Sequence, residues 1–438
     1  MKISRLPDND KSNVWNTMLV PREPTKPVEG MVKADWLVIG AGYAGLAAAR
    51  RLAENCPDEK IILLDAGLAG ENASARNSGF AIDIPHTISS DLEQLEGSKA
   101  HLRLARAAID HLKEQIDRYG FECDWSRDGK YQTAVTPEGS KAMLEPVTQE
   151  LDALGEPWRW VEADELREKI GTTHFYRGIY TPGCILMNPA ALTRGLSDNL
   201  PENVSFHEES PVLEIEYQNG VQVKTPEGEV RAPKLILATN GFTEQFGFLK
   251  DQVFHLSAHA SLTRPLTEEE QAIYAVEKPW GVTPANAYGG ITMRYTNDRR
   301  LLIRQDIRVS SGQKTSVARL TKLKREHKAL FHDRFPMLPD VTFDDTWSGY
   351  LCMSRNGAPA FGRIASNVWL AACQNGIGVT KGTASGMLVA DLACGRDNPL
   401  IADMESLGKP ENLPPKTIAY LGVHAKLGWE KWKNRAEA

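Results

Sequence analysis

The residues best placed to do chemistry are three glycines, Gly40, Gly42 and Gly45, in the stretch Trp36-Leu37-Val38-Ile39-Gly40-Ala41-Gly42-Tyr43-Ala44-Gly45-Leu46. An apolar run enters a G-x-G-x-x-G turn and Ala47-Ala48-Ala49 follow, so the order reads strand, tight turn, helix. Gly40 permits the sharp turn, Gly42 lets the backbone approach a pyrophosphate, and Gly45 lets the helix pack on the strand. The helix start then points bare N–H groups at an anion. The next apolar run, Lys60-Ile61-Ile62-Leu63-Leu64, ends at Asp65, where a carboxylate accepts hydrogen bonds from ribose hydroxyls. Strand, glycines, helix, strand and acid in this order predict a bound dinucleotide. The plainer reading of Asp65, an acid capping a loop, requires the glycines to mislead as well.

Three further stretches fit the same ligand. The loop Gly70-Glu71-Asn72-Ala73-Ser74-Ala75-Arg76-Asn77-Ser78-Gly79 is rich in small and hydrogen-bonding residues and follows the nucleotide strand, so it reads as a cofactor-contacting loop rather than a linker. Lys234-Leu235-Ile236-Leu237-Ala238-Thr239-Asn240-Gly241 is a buried strand ending in small residues, where the backbone passes close to a dinucleotide. Gln374-Asn375-Gly376-Ile377-Gly378-Val379-Thr380 opens a long amphipathic helix through Leu392, a second helix start free to receive negative charge.

Composition narrows the class. With 438 residues the chain has room for two domains, and 42% hydrophobic with 25% charged residues is ordinary for a globular protein. A net charge of -6 leaves no basic excess to attract nucleic acid or an anionic membrane, and the run Lys322-Leu323-Lys324-Arg325-Glu326-His327-Lys328 reads as a solvated helix face. The six cysteines, at 56, 123, 184, 352, 373 and 394, form no C-x-x-C pair, which argues against a metal site or a disulfide framework and for a reducing compartment. Met1 to Asn16 lacks the apolar core of a secretory signal, and the longest apolar run, Leu37 to Ala49, is too short and glycine-rich to span a bilayer. The expectation is a soluble cytoplasmic protein without stable membrane insertion.

The elements that must position these residues follow in order. Residues 1–34, with Pro21, Pro24 and Pro27 among charges, show no periodicity and are expected to drape over the surface or stay partly disordered. Helical spacing runs from Asp91 to Tyr119 and from Ser140 to Leu154, with a strand at Lys130-Tyr131-Gln132-Thr133-Ala134-Val135 between them. Asn188 caps a helix with Pro189 at its first position, and Asn219-Gly220 joins short strands as a hairpin turn. Phe254 to Thr263 alternates strictly: Phe254, Leu256, Ala258, Ala260 and Leu262 would face a core, and His255, Ser257, His259, Ser261 and Thr263 the other side. That polar side is either solvated or the wall of a substrate cavity. A hairpin spans Ile291 to Arg304, and strands follow near 346–353 and 367–373. The tail from 395 is proline-broken and then helical; with Trp429 and Trp432 near Lys431 and Lys433 it reads as docked, the alternative being an interfacial membrane contact.

Taken together, these blocks resemble the flavin-dependent amine and amino-acid oxidases of the D-amino-acid oxidase, glycine oxidase and sarcosine oxidase superfamily, most of all the gamma-glutamylputrescine oxidoreductases. The stretches that carry the resemblance are Val38 to Leu46, Ala73 to Gly79, Arg294-Tyr295-Thr296-Asn297-Asp298-Arg299-Arg300-Leu301-Leu302, and Trp347-Ser348-Gly349. The resemblance implies an α/β (α+β) fold: a Rossmann-like FAD-binding domain made of 35–95, 155–250 and 340–395, and a second, mostly antiparallel-sheet substrate domain made of 96–154 and 251–339. A leader (1–34) and a tail (396–438) complete the chain. It also implies FAD, with Gly40, Gly42, Gly45 and Asp65 at the adenosine diphosphate part and Tyr43, Ala44 and Ala66 beside them. Ser74, Arg76, Asn77, Ser78 and Gly79 would run past the ribityl chain and ring. Val212 would meet the adenine, Thr239, Asn240 and Gly241 would border the dinucleotide, and Gly376, Ile377, Gly378, Val379 and Thr380 would meet the pyrimidine end, where reduced flavin gains negative charge.

Departures from the family pattern refine this. Leu351 stands where amino-acid oxidases of the group carry an arginine for the substrate carboxylate, and Gly349 stands where sarcosine oxidases attach flavin through cysteine, so the FAD is expected to be non-covalent. Arg304 follows the hairpin where relatives often have glycines; it binds an anionic part of the substrate or forms a surface ion pair. Leu351, Tyr350 and Arg304 are the candidate substrate contacts. The implied reaction is oxidation of an amine C–N bond to an imine by hydride transfer to flavin N5, then hydrolysis. His259 is the candidate polar group over the ring, against a solvated histidine, and Lys381 acts on oxygen or substrate unless it is merely exposed at its helix start. The expected substrate is a small amine, with a gamma-glutamylated polyamine among the candidates, or an amino acid; the acceptor is O2 or a respiratory carrier; no nucleic acid and no metal is expected, and oligomeric state is left open. The alternatives are an amino-acid oxidase or dehydrogenase, and a flavoprotein without turnover that serves as a redox or binding subunit.

Overall fold

All four side chains of Trp36–Ile39 are buried, as are all four of Ile61–Leu64, because each strand has a parallel neighbour on both sides and a covered face above and below. The computed structural model describes residues 1–84, 92–286 and 289–437. A six-stranded sheet runs in the order Ala360–Ala365, Val368–Ala372, Lys234–Leu237, Trp36–Ile39, Ile61–Leu64, Val204–His207. Its first pair is antiparallel and the rest are parallel. The helix Tyr43–Asn55 packs beside this sheet against the helix Thr383–Ala393. Gly386 permits that contact, since a Cβ there would lie 2.0 Å from the Ala44 carbonyl oxygen.

A second sheet of eight strands holds Phe343–Ser354, Val253–Thr263, Leu301–Val309, Thr292–Tyr295, Trp280–Pro284, Lys130–Ala134, Arg177–Thr181 and Arg159–Glu162. Every pairing in it is antiparallel except Trp280–Pro284 with Lys130–Ala134. The segments 155–250 and 340–395, expected on the nucleotide side alone, each send strands into both sheets. The predicted helices appear at Leu92–Tyr119 and, with a π turn over Ser140–Leu144, at Glu145–Leu154; Asp91 lies outside the described residues. Asn188 caps Pro189–Asp198 through its side chain, as its sequence position predicts.

The leader overturns the expectation of a surface drape. Val14–Thr17 is a short helix with Val14, Trp15 and Asn16 buried, and the Trp15 ring meets Trp347 edge to face at 6.4 Å. Gly30–Lys33 pairs in parallel with Gly228–Ala232 in a third, four-stranded sheet. A four-residue helix carries no readable period, and its apolar partners, Ala75, Ala190, Leu262, Leu302 and Trp347, come from distant parts of the chain. Trp15→Ala is therefore expected to lower stability in urea unfolding by about 3–5 kcal/mol, whereas an exposed residue of a draped leader would leave the midpoint unmoved.

Candidate active site

The turn after Trp36–Ile39 is built for a close approach of backbone. Gly40 has φ +101°, and a Cβ on Gly45 would sit 1.6 Å from the Gly40 carbonyl oxygen, so strand and helix touch only because no side chain intervenes. No side chain caps the helix at Gly42; the Tyr43 N–H reaches Ser74 Oγ at 3.1 Å, and those of Ala44 and Gly45 have no carbonyl ahead of them in the helix. Asp65 holds the turn: its carboxylate accepts from the N–H groups of Ala41 (2.7 Å) and Gly67 (2.9 Å) and from Asn72 Nδ2 (2.7 Å). Burial raises its pKa, and the backbone donors oppose that shift.

A cavity of about 1320 Å³ begins at this turn and runs into the second sheet. Gly40, Gly42, Tyr43, Ala44, Asp65 and Ala66 border it, with Val212 and Thr239, Asn240 and Gly241 along the same end. Ser74, Arg76, Asn77 and Ser78 line its middle wall, and Gly376 to Thr380 with Lys381 form another part. Gly45 and Gly79 lie behind the wall. Both glycine-led helix starts thus open on one cavity, and at the second the Gln374 Nε2 is a buried donor with no partner among the described residues. Uncapped N–H groups, a side-chain-free turn and an orphaned donor at the second helix start fit a dinucleotide such as FAD.

The 73–79 loop is fixed from behind. Its carbonyls accept from Trp347 Nε1 at Arg76 (3.1 Å), from Trp15 Nε1 at Asn77 (3.0 Å), and from Arg294 Nη1 at Gly79 (2.9 Å). Arg294 is fully buried and also donates to the Met187 carbonyl. The Arg76 guanidinium is spent on the Glu71 and Ser348 carbonyls and on Asp10 Oδ1 at 2.7 Å. Arg294 belongs to one of the stretches that carried the resemblance, yet sequence reasoning assigned it no role; nor did it find Arg5, Asp8 and Asn9 of the leader, or Val423 and Leu427 of the last helix, all bordering the cavity. No periodicity or motif marks those residues.

Two expectations about side-chain direction are corrected. The apolar side of Val253–Thr263, with Phe254, Leu256, Ala258 and Ala260, lines the cavity, and His259 does not. His259 is buried on the opposite side, with Nδ1 2.9 Å from the Asp306 carbonyl oxygen, under the helix Val317–Arg334, whose His327 Nδ1 lies 2.7 Å from Ser261 Oγ. The polar side is thus neither solvated nor a cavity wall: all five of its side chains are buried, and a helix covers the end at Ser261. Burial lowers the His259 pKa, against the Asp306 hydrogen bond and charge that raise it. Tyr350 borders the cavity, but it alternates with Leu351, pairs across the sheet with Ser257, and sets its hydroxyl 3.3 Å from Thr315 Oγ1. Leu351 takes the cavity side, 3.2 Å from where a Gly376 Cβ would be.

Two of the cations on the wall are those singled out from the sequence, Arg304 and Lys381. Arg304 Nη2 donates to Thr292 Oγ1 at 2.7 Å, and among the described residues no carboxylate pairs with it; burial pulls its pKa down to about 10, so it stays charged at neutral pH. Lys381 is buried rather than exposed at its helix start, and desolvation lowers its pKa to about 8. Burial, with the Lys381 charge added, depresses His101 to about 4.

Comparison with known proteins agrees with this geometry. The family described as DAO, FAD dependent oxidoreductase, matches residues 35–392. A Haemophilus influenzae protein named Probable oxidoreductase OrdL is 28% identical over 93% of both chains. The Escherichia coli gamma-glutamylputrescine oxidoreductase is 26% identical over 89% of both. Among solved structures, glycine oxidase from Geobacillus kaustophilus superposes with a TM-score of 0.71 at 18% identity, covering 87% of this chain and all of that one. Arg294→Met would strand the buried Met187 carbonyl and leave that of Gly79 with the Met187 N–H alone; it is expected to cost about 1–3 kcal/mol in urea unfolding and to weaken dinucleotide uptake, read by titration of the apoprotein.

Proposed function

The chain belongs to the family of FAD dependent oxidoreductases, and from that premise we propose that it oxidises the C–N bond of an amine that carries a separate anionic group. A gamma-glutamylated amine, with its free α-carboxylate far from the reacting carbon, is the substrate class that fits best. FAD supplies the two-electron acceptor for the hydride leaving the carbon next to nitrogen, and water then hydrolyses the resulting imine.

The observation that carries this reading is Arg304: a half-buried guanidinium on the cavity wall, hydrogen-bonded to Thr292, with no carboxylate against it among the described residues. A charge held in a low-dielectric wall is costly unless a partner arrives. Leu351 occupies the position where amino-acid oxidases of the superfamily keep their carboxylate-binding arginine, so an anion would be held at Arg304 instead. The apolar face of Val253–Thr263 excludes water and strengthens that attraction. Lys381, neutral in part at neutral pH, has the free lone pair needed to take the ammonium proton before the C–H bond breaks. The E. coli relative, whose name specifies gamma-glutamylputrescine, supports the same substrate class.

An amino acid whose own carboxylate sits on Arg304 is the second reading. A panel of gamma-glutamylated amines, free polyamines and amino acids, each mixed anaerobically with the yellow holoprotein, separates them: bleaching by gamma-glutamylated amines supports the first, bleaching by α-amino acids alone the second. No bleaching by any compound leaves a flavoprotein without turnover. Arg304→Met is expected to raise KM for a carboxylate-bearing amine about 10- to 100-fold while kcat changes little; an unchanged KM would remove Arg304 from the site. Reduction by substrate should rise with pH through about 8 as Lys381 loses its proton, and Lys381→Met should abolish that step in the pH profile.

A further inference from the structure

The helix Lys416–Lys433 has two apolar sides, and only one of them meets the protein. On the inner side Leu427 is buried and Val423 half-buried, and both border the cavity. Lys431 Nζ fastens that side to Asp306 Oδ1 at 3.1 Å and to the Ile307 carbonyl at 3.0 Å. Just beyond, Glu437 accepts the N–H groups of Val135 (2.7 Å) and Thr136 (3.0 Å). At about 3.6 residues per turn, Ile418, Leu421, Ala425, Trp429 and Trp432 fall in a stripe narrower than a quarter turn on the outer side. All five are exposed, with Trp429 57% and Trp432 58% accessible. Isolated exposed apolar residues need no explanation, but an aligned row ending in two indoles does.

The charges beside the stripe say what it faces. Lys426, Lys433 and Arg435 are exposed, Lys426 and Lys433 on the flank where the helix turns from the stripe to the cavity that both also border, and the Arg435 guanidinium lies 5.3 Å from the Trp432 ring centre. The helix's single acid, Glu430, is half-buried and bonded to Asn434. In a chain of net charge -6 this surface is locally cationic. An apolar stripe with tryptophans and cationic flanks is the pattern of a helix lying in a lipid headgroup region, where indole rings settle at the boundary and lysines meet phosphate. Two copies joined about a two-fold axis at the middle of this stripe would instead set Lys426 near its equivalent, with the helix's single acid already held by Asn434. No described helix is long and apolar enough to cross a membrane, so the contact is peripheral.

We propose that the outer stripe of the C-terminal helix docks the protein on an anionic lipid surface, setting one wall of the cavity against the bilayer. The test uses the full-length, FAD-loaded protein and flotation with vesicles of phosphatidylcholine alone or mixed with phosphatidylglycerol. Binding to the mixed vesicles is expected, weaker by at least about ten-fold with phosphatidylcholine alone or at high salt. Trp429→Ser with Trp432→Ser should reduce it at least about ten-fold while flavin content and melting temperature stay at wild-type values. Failure to float with the anionic vesicles, or equal flotation of the double variant, would overturn the proposal. So would a wild-type dimer in sedimentation equilibrium that the same two substitutions split, since the stripe would then be a subunit interface.

Discussion

The site depends on three hydrogen bonds to consecutive stretches of one loop. Trp15, Trp347 and Arg294 come from the leader, from the strand Phe343–Ser354 and from the strand Thr292–Tyr295, and each donates to a different carbonyl between Arg76 and Gly79. A loop of small residues has little packing of its own, and its buried carbonyls must find donors or the loop cannot stay inside. The donors are rigid: two indoles wedged edge to face, and a guanidinium with no room to move. Gly79 completes the arrangement, because a Cβ there would lie 2.0 Å from Arg294 Nη1. The loop therefore presents Ser74 to Ser78 to the cavity from a backbone pinned on its far side.

The long strand Val253–Thr263 sets the polarity of the cavity. It pairs on both edges, so its alternation is locked, and a one-residue slip would exchange the two faces. His259 bonds the Asp306 carbonyl and Ser261 bonds both His327, from the helix Val317–Arg334, and Thr346. What the strand leaves for the cavity is apolar, so Arg304 and Lys381 share the wall with a face that offers them no hydrogen bonds. At Asp306 a bulge interrupts the neighbouring strand, and the displaced carboxylate gathers Arg308, Arg319 and Lys431. Burial alone would raise its pKa; the arginine hydrogen bonds and the lysine charge hold it well below the usual carboxylate range. The bulge ties the strand behind His259 to the C-terminal helix, so a histidine placed by sequence at the chemistry belongs to the frame that holds the far wall.

Local patterns in the chain were enough for the nucleotide half. The glycine turn, the acid at the end of the second strand, the capped helix at Asn188 and the Asn219-Gly220 hairpin each depend on residues a few positions apart, whose sterics and hydrogen bonds are settled within one turn or one strand pair. The alternation of Phe254 to Thr263 was also legible, and it correctly separated two faces.

Which face looked onto the cavity was decided only in three dimensions. A period of two carries no sign, and the covering helix lies more than fifty residues away in sequence. The buried leader, the role of Arg294 and the closeness of Leu351 to Gly376 likewise arise from pairings between remote segments, which no local spacing encodes. Sequence determined that the chain would fold around a dinucleotide; tertiary packing determined which side chains meet what lies beyond it, because burial, and with it the charge state of Arg304 and Lys381, is a property of neighbours rather than of position in the chain.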